Sequence, residues 1–312
     1  MTSTINSRNY IYIMINKLFL FGLIHYNCKC SLRSQTPYAC LSQRIGAMAQ
    51  ATIQALFLKP AKGQALVDVS ALGMTMQQGY GIIGDCQGHP LSPRQVLLVR
   101  REDLEAFKLL PGDLRENIVL AGLAEAEFVP GAILHVGKSV QIRLTFHCEP
   151  CKRIAHVLGA PLKQIVGKRG ILGTVVAGGE LCCGDPVVVG SETLPPISHI
   201  PYNRFLRFVS AIPYGRVVSY KEIVIGMGVA NSFMRVIPHY LQKTNPEQYP
   251  IHRVVDTKGQ LLPHYIPSQI EALRAEGIEL VLVDSIEPHS YHLDLQRYGW
   301  SGIPYSAAAT TC

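Results

Sequence analysis

SYKEIVIGMGVANSFMRVIPHYLQK, residues 219–243, is the stretch on which the fold turns. Ser219 stands where a helix N-cap belongs, and Glu222 follows three residues on, the spacing of a capping box. Gly226 and Gly228 are residues that would end such a helix. Asn231 is a second cap residue and opens a second apolar run through Lys243. Two short helices about a glycine-bearing turn are the signature of a helix-turn-helix. Pro238 falls inside the second helix, where it removes a hydrogen bond and is expected to kink it. Upstream, NRFLRFVSAI (203–212) has helical spacing of Phe205, Phe208, Val209 and Ile212; downstream, PSQIEALRAEG (267–277) reads as a last helix stopped by Gly277.

The preceding chain has a different rhythm. TIQALFL (52–58), QVLLVR (95–100), AILHVG (132–137), VQIRLTF (140–146) and DPVVVG (185–190) are β-branched or alternating runs parted by Gly, Pro and Asp turns. Only 102–108 and 152–158 read as helical. Short strands at this spacing predict a closed or half-closed β-barrel. SETLPPISHIP (191–201) reads as a linker. The expected fold is therefore multidomain α and β: a mostly antiparallel β-barrel over 48–190, the linker 191–201, a small helical, winged helix-turn-helix-like domain over 202–285, and a C-terminal tail, 286–312.

Composition agrees with that division. The 312 residues suffice for about two domains of roughly 100–200 residues each, and 48% hydrophobic with 16% charged residues is a globular balance rather than a disordered one. The net charge is +7, but Arg8, Lys17, Lys29, Arg33 and Arg44, with no acid among them, concentrate it in residues 1–47. Bulk charge is thus a weak argument for nucleic acid. Residues 204–258 hold eight Lys/Arg against Glu222, Glu247 and Asp256, which reads either as a local basic face or, as most charge runs do, as an ordinary solvated surface. NYIYIMINKLFLFGLIHY (9–26) is apolar but interrupted by Lys17, too short for a membrane span. It is read as a targeting segment, an upstream extension or a structural element, and 1–47 is set apart from the fold. No stable membrane insertion of the two domains is expected. Nine cysteines, an odd number in clustered pairs, fit reduced thiols and a cytoplasmic location better than a disulfide scaffold.

TFHCEPCKRI (145–154) is the sharpest chemical feature of the first domain. Its Cys148-x-x-Cys151 beside His147 has several readings. It could be half a zinc site with Cys182 and Cys183, although adjacent cysteines ligate one tetrahedral metal poorly. It could be a redox dithiol, although no βαβ setting surrounds it. One thiolate could be a nucleophile or a ligand to a soft metal centre, with Lys152, Arg153 and a following helix N-terminus favouring the thiolate. Or both could be ordinary buried cysteines.

Six pieces in order then resemble a MOSC domain, the β-barrel module named for the C-terminal part of molybdenum cofactor sulfurases: KPAKGQ (59–64), GIIGDCQG (81–88), RQVLLV (94–99), LLPGDLRENIVLAGL (109–123), VPGAILHVG (129–137) and CEPCKRI (148–154). The resemblance implies one essential cysteine, here Cys151, as catalytic residue and as metal ligand or sulfur carrier. It implies molybdenum cofactor (molybdopterin), with Lys59, Arg94, Arg115 and Asn117 on the cofactor's side, and an electron-donor or sulfur-donor protein as partner; Arg94 and Arg115 read almost as well as surface or structural pairing residues, and Asn117 as one that holds the pocket. Related enzymes reduce N-hydroxylated compounds or transfer sulfur. Neither pyridoxal phosphate nor zinc is expected.

Residues 202–280 resemble the DNA-binding domain of alkylguanine-DNA alkyltransferases and, more closely, the alkyltransferase-like proteins. IPYGRVVSYKEI (212–223) matches the opening motif, MRV (234–236) the inserted arginine, NP (245–246) the hinge, PIHRVV (250–255) the active-site run and EG (276–277) the closing glutamate. The resemblance implies DNA contacts by Tyr220, Arg235, Asn245, His252 and Arg253, while His252 and Arg253 read as well as residues that hold the loop. It also implies a vestigial site of Ile251, His252 and Glu276, because Ile251 stands where the family's thiolate attacks and isoleucine has no lone pair to alkylate. The expected partner is DNA with alkylated or modified bases. His239 and Tyr240 are bulkier than the family's small residues, and LLPHYIPSQ (261–269) replaces its glycine-rich wing. The leading expectation joins a molybdenum-cofactor-binding reductase or sulfur carrier to a catalytically dead lesion reader. Two others stand beside it: a MOSC enzyme whose second domain is a protein-interaction module, and a non-enzymatic DNA-lesion-binding protein.

Overall fold

A computed structural model describes residues 50–282, 291–302 and 304. The segment 1–47 and the Arg153 side chain lie outside that description. The first part comprises β1 (Thr52–Leu58), β2 (Val67–Asp68), β3 (Met74–Gln77), β4 (Gly81–Ile82), β5 (Val96–Arg100), α1 (Arg101–Ala106), β6 (Ile118–Ala121), β7 (Ala132–Val136), β8 (Val140–His147), α2 (Ala155–Leu158), β9 (Ile171–Ala177), β10 (Gly179–Leu181) and β11 (Val187–Thr193). Eight strands form one sheet in the order β11-β7-β8-β9-β5-β6-β1-β2. All its pairings are antiparallel except β5 with β6. The sheet curls into a half-barrel seamed at one end, where Val187 N donates to Ala51 O at 2.7 Å and Ile53 N to Asp185 O at 3.0 Å.

The runs of buried residues explain the strands. All five positions of β5 are buried, as are the middle positions of β8 and β9. One face of these strands packs inward on Leu56, Met76, Leu120 and Leu134. The other packs outward under Leu104, Ile154, Leu158 and Ile165. A strand covered on both faces reads as a continuous apolar run rather than an alternating one.

The second part holds α3 (Pro201–Ser210), β12 (Val218–Ser219), α4 (Tyr220–Met227), α5 (Ile237–Lys243), β13 (Val254–Val255), α6 (Gln269–Ala275), β14 (Val281–Leu282), β15 (Tyr291–His292) and α7 (Leu295–Tyr298). The capping box forms as expected: Ser219 N donates to the Glu222 carboxylate at 2.6 Å, and Gly228 ends α4 in the left-handed region at φ 65°. The single helix expected over 231–243 is instead a 3-10 segment, Asn231–Val236, followed by α5. Pro238 is the second residue of α5, where its missing N–H has no intrahelical partner to lose. The expected kink is therefore a change of helix type. β11 runs through Thr193, into the stretch read as linker. The stretch read as a tail contributes β15 and α7, and Leu293 and Tyr298 pack with Val217, Val255 and Leu273. No helix among the described residues is long and apolar enough to cross a membrane.

Gly226 lies where α4 crosses α3, and a Cβ there would stand 2.0 Å from Phe208 Cε2. Phe208 is 1% exposed and has no room to retreat. Gly226→Ala should cost about 2 kcal/mol of stability despite its better helix propensity, a loss that denaturant unfolding would read as a lower midpoint.

Candidate functional site

The barrel brings its matched motifs together around one buried lysine. Lys59 follows β1; its backbone N–H donates to Asp85 at 2.9 Å and its Nζ to Asn117 Oδ1 at 2.8 Å. The Asn117 amide also donates to Phe57 O at 3.1 Å and to Asp85 at 2.8 Å, and its Oδ1 accepts from Leu97 N at 3.1 Å. Asn117 is thus a clamp between β1, β5 and the turn at Asp85. Burial lowers the Lys59 pKa, with Asp85 and then Cys148 opposing it. Arg115 adopts a left-handed backbone at φ 58° and donates to Gln64 O at 2.8 Å. Glu116 accepts from Gly112 N at 2.5 Å while its other oxygen is buried without a partner, and burial raises its pKa.

The two cysteines differ. Cys151 is half-buried and precedes the 3-10 turn Lys152–Ile154. Cys148 is 2% exposed and its sulfur accepts from Arg169 Nη1 at 3.0 Å. Arg169 also donates to Glu149 O. Burial pushes the Cys148 thiol up, and Arg169, then Arg94, oppose that. Arg169 carries no motif in the sequence. The β8–β9 register, His147 opposite Ile171, continues to Cys148 N donating to Gly170 O at 2.9 Å, which places Arg169 beside the cysteine. Arg94 sends Nη1 to Gly228 O at 2.9 Å, across to the second part. Among the described residues no group of three or more His, Cys, Asp and Glu side chains is placed to hold a metal ion.

In the second part, β12 and β13 pair in parallel and set the active-site run beside α4. Ile251 is 2% exposed. It lines a cavity of about 220 Å³ with Leu241, Thr244, Pro246, Tyr265 and Ile266. Behind it, His252 Nε2 lies 2.7 Å from Glu276 Oε1. Arg253 donates to the same carboxylate at 2.7 and 2.9 Å and to Ile212 O at 2.6 Å, and Gly215 N donates to it at 2.8 Å. Burial works against ionising Glu276, but the Arg253 and His252 contacts and the Gly215 N–H outweigh it and hold the carboxyl below its ordinary range. Arg253 is therefore committed to the loop. Tyr220 keeps its hydroxyl buried without a partner, and burial, then Tyr265 and Asp256, push its pKa far up. Arg235 is exposed in the 3-10 segment, and Asn245 accepts from Glu247 N at 3.0 Å to close the hinge turn. Gln269, which sequence reasoning missed, is fully buried. It donates to His252 O at 3.0 Å and Val254 O at 2.7 Å and accepts from Leu262 N at 2.5 Å, so it ties the altered wing to the active-site run.

Residues 87–188 match the model of the MOSC domain, and residues 201–278 match the model of the 6-O-methylguanine DNA methyltransferase DNA-binding domain. Alkyltransferase-like protein 1 of Schizosaccharomyces pombe is 31% identical over 104 residues, which are 32% of this chain and 93% of the relative. The crystal structure of S. pombe Atl1 in complex with damaged DNA containing O6-carboxymethylguanine is 30% identical, covers 32% of this chain and 94% of its own, and has a TM-score of 0.29. The YuaD protein of Bacillus subtilis is 18% identical and covers 45% of this chain and 95% of its own, at a TM-score of 0.39.

The Glu276 node makes stability depend on acid pH in a definite direction. Its carboxyl titrates lower in the folded than in the unfolded chain. Its contribution is therefore complete above the unfolded value, about pH 4.3, and is lost as pH falls through the folded value. Glu276→Gln should lose about 3 kcal/mol at neutral pH, because Arg253 is left without its anion. Denaturant midpoints taken from pH 6 to pH 3 should fall less steeply in the variant than in the wild type.

Proposed function

This chain belongs to the alkyltransferase-like family through residues 201–278 and carries a MOSC domain ahead of them, and on that premise we propose that its second part reads alkylated or modified bases in DNA without accepting the alkyl group. The observation that carries this reading is Ile251 in the wall of a cavity of mixed apolar and polar lining, in front of an assembled His252–Glu276 pair. The pair has the arrangement of a proton relay, but the side chain ahead of it cannot be deprotonated or alkylated. The remaining parts suit a flipped nucleotide: a pocket beside Ile251 for the base, exposed Arg235 to fill the vacated stack, and Tyr220 at the start of α4, the position the resemblance gives to rotation of the nucleotide. The relative's complex with DNA containing O6-carboxymethylguanine supports the same ligand class.

For the barrel, the proposal is a thiol site for molybdenum cofactor, serving reduction or sulfur transfer with a separate donor protein. The residues fit an anionic group. The buried Lys59 ammonium makes one hydrogen bond, to a neutral amide, and so retains donor capacity that burial makes costly to leave unused. Lys59 and Arg115 would meet the anionic part, Asn117 would hold Lys59 in place, and Cys151 would offer its thiolate to the metal, which accepts soft sulfur ligands. When bound, such a group supplies two-electron redox or sulfur chemistry. With one protein thiolate as ligand, the metal would take its other ligands from the cofactor.

Two measurements test these readings separately. Molybdenum analysis after expression with the cofactor available should give near-stoichiometric metal in the wild type and little in Cys151→Ala; no metal in either would sink the cofactor reading. The full chain should bind a duplex containing O6-alkylguanine in preference to the unmodified duplex. Tyr220→Ala and Arg235→Ala should each weaken binding about tenfold, and no label should pass from alkyl-labelled DNA to the protein. Equal affinity for both duplexes would refute lesion reading.

A further inference from the structure

The contact between the two parts has no role in either proposed activity. The loop entering β5 leans on the helix-turn-helix. Leu91, 1% exposed, belongs to the same apolar cluster as Phe205, Phe208, Ile223 and Met227. A Cβ at Gly228 would stand 2.8 Å from Pro93 Cγ, 3.0 Å from Phe146 Cζ and 3.2 Å from Arg94 Cδ, so the barrel closes directly over the end of α4. Arg204 of α3 lies 3.9 Å from the centre of the Phe146 ring and reaches Met227 O at 3.4 Å. Arg94 reaches Gly228 O at 2.9 Å.

These two carbonyls lie where a helix leaves acceptors unpaired and partial negative charge exposed, so guanidinium groups are favourable there. One of the two cations comes from the barrel. Three residues beyond Gly228, Asn231 begins the 3-10 segment that carries Arg235. We propose that Arg94 is a positioning residue of the helix-turn-helix: the barrel caps α4, fixes the turn 228–230 and thereby sets the presentation of Arg235. The barrel is then part of the DNA-reading module, and Arg94, which the family resemblance assigns to the cofactor, is committed to the junction.

The DNA arm of this inference rests on the lesion-reading proposal; the docking arm does not. The experiment measures amide exchange over 220–231 and duplex affinity in the full chain. Gly228→Ala wedges the junction from the helical side without altering charge, and Arg94→Gln removes the cap from the barrel side. Gly184→Ala is the control for backbone strain alone, since Gly184 also has a positive φ, 87°, with nothing within 4 Å of its Cβ position. Both junction variants should speed exchange at the end of α4 about tenfold and weaken O6-methylguanine duplex binding several-fold. The salt slope of binding should stay that of the wild type, because Arg94 is assigned no phosphate contact. The control should match the wild type. Wild-type exchange in Arg94→Gln would overturn the proposal, even if Gly228→Ala does not fold. Faster exchange with unchanged affinity would overturn the positioning role. A wild type that binds no duplex, with faster exchange in the variants, would overturn DNA reading and leave only the docking.

Discussion

A single carboxylate organises the helical part. Glu276 follows α6 and collects Arg253 and His252 from the active-site run and the Gly215 N–H from the loop after α3, while Tyr214 from that loop donates to Ala275 O beside it at 2.7 Å. Arg253 extends the node to Ile212 O. Three segments far apart in the chain are thereby held in one geometry, and the wall of the Ile251 cavity inherits it. Partly buried ionic groups of this kind cost desolvation and are tolerable only when their hydrogen bonds are made. Here both carboxylate oxygens have donors. Ile251, in front of it, carries no ionisable group, and the node's structural effect is to fix the wall of that cavity.

The barrel repeats the strategy with a neutral centre. Asn117 joins Phe57, Asp85, Leu97 and Lys59 through its one amide, tying β1 to the start of β5 and to the turn at Asp85. That explains why separate short motifs in this region belong together: each supplies one partner of the same buried polar group. Cys148 lies close enough to Lys59 to act on its charge. Cys148 is covered and contacted by Arg169, and Cys151 is the more open of the two.

The two parts share an apolar cluster and two guanidinium contacts. The junction lies at the end of a helix, where unpaired carbonyls give a cation its largest effect. Such a joint restricts the relative motion of a thiol site and a DNA-binding helix pair more than a linker reading of 191–201 implies.

Much of this was legible in the chain itself. The Ser219–Glu222 box, the positions of Ile251, His252 and Glu276, and the ordered motifs around Lys59, Asn117 and Cys151 are local patterns, and local physics or family resemblance reads them directly. The half-barrel followed from apolar runs and turn residues. What the chain did not show is which residues meet across long separations: Arg169 with Cys148 at 21 residues, Gln269 with Val254 at 15, and Arg94 with Gly228 at 134. Strand register decides the first, the altered wing the second, and packing of the two parts the third. Pro238 shows the same limit from the other side. Its effect depended on where the helix began, and tertiary packing placed that start one residue before it. The sequence by itself determined which side chains stand at the matched positions, isoleucine at 251 and cysteine at 151 among them, because that is residue identity. Only the tertiary structure decided which cations serve the thiols and which serve the joint, because a guanidinium's role is set by the acceptor that folding brings to it.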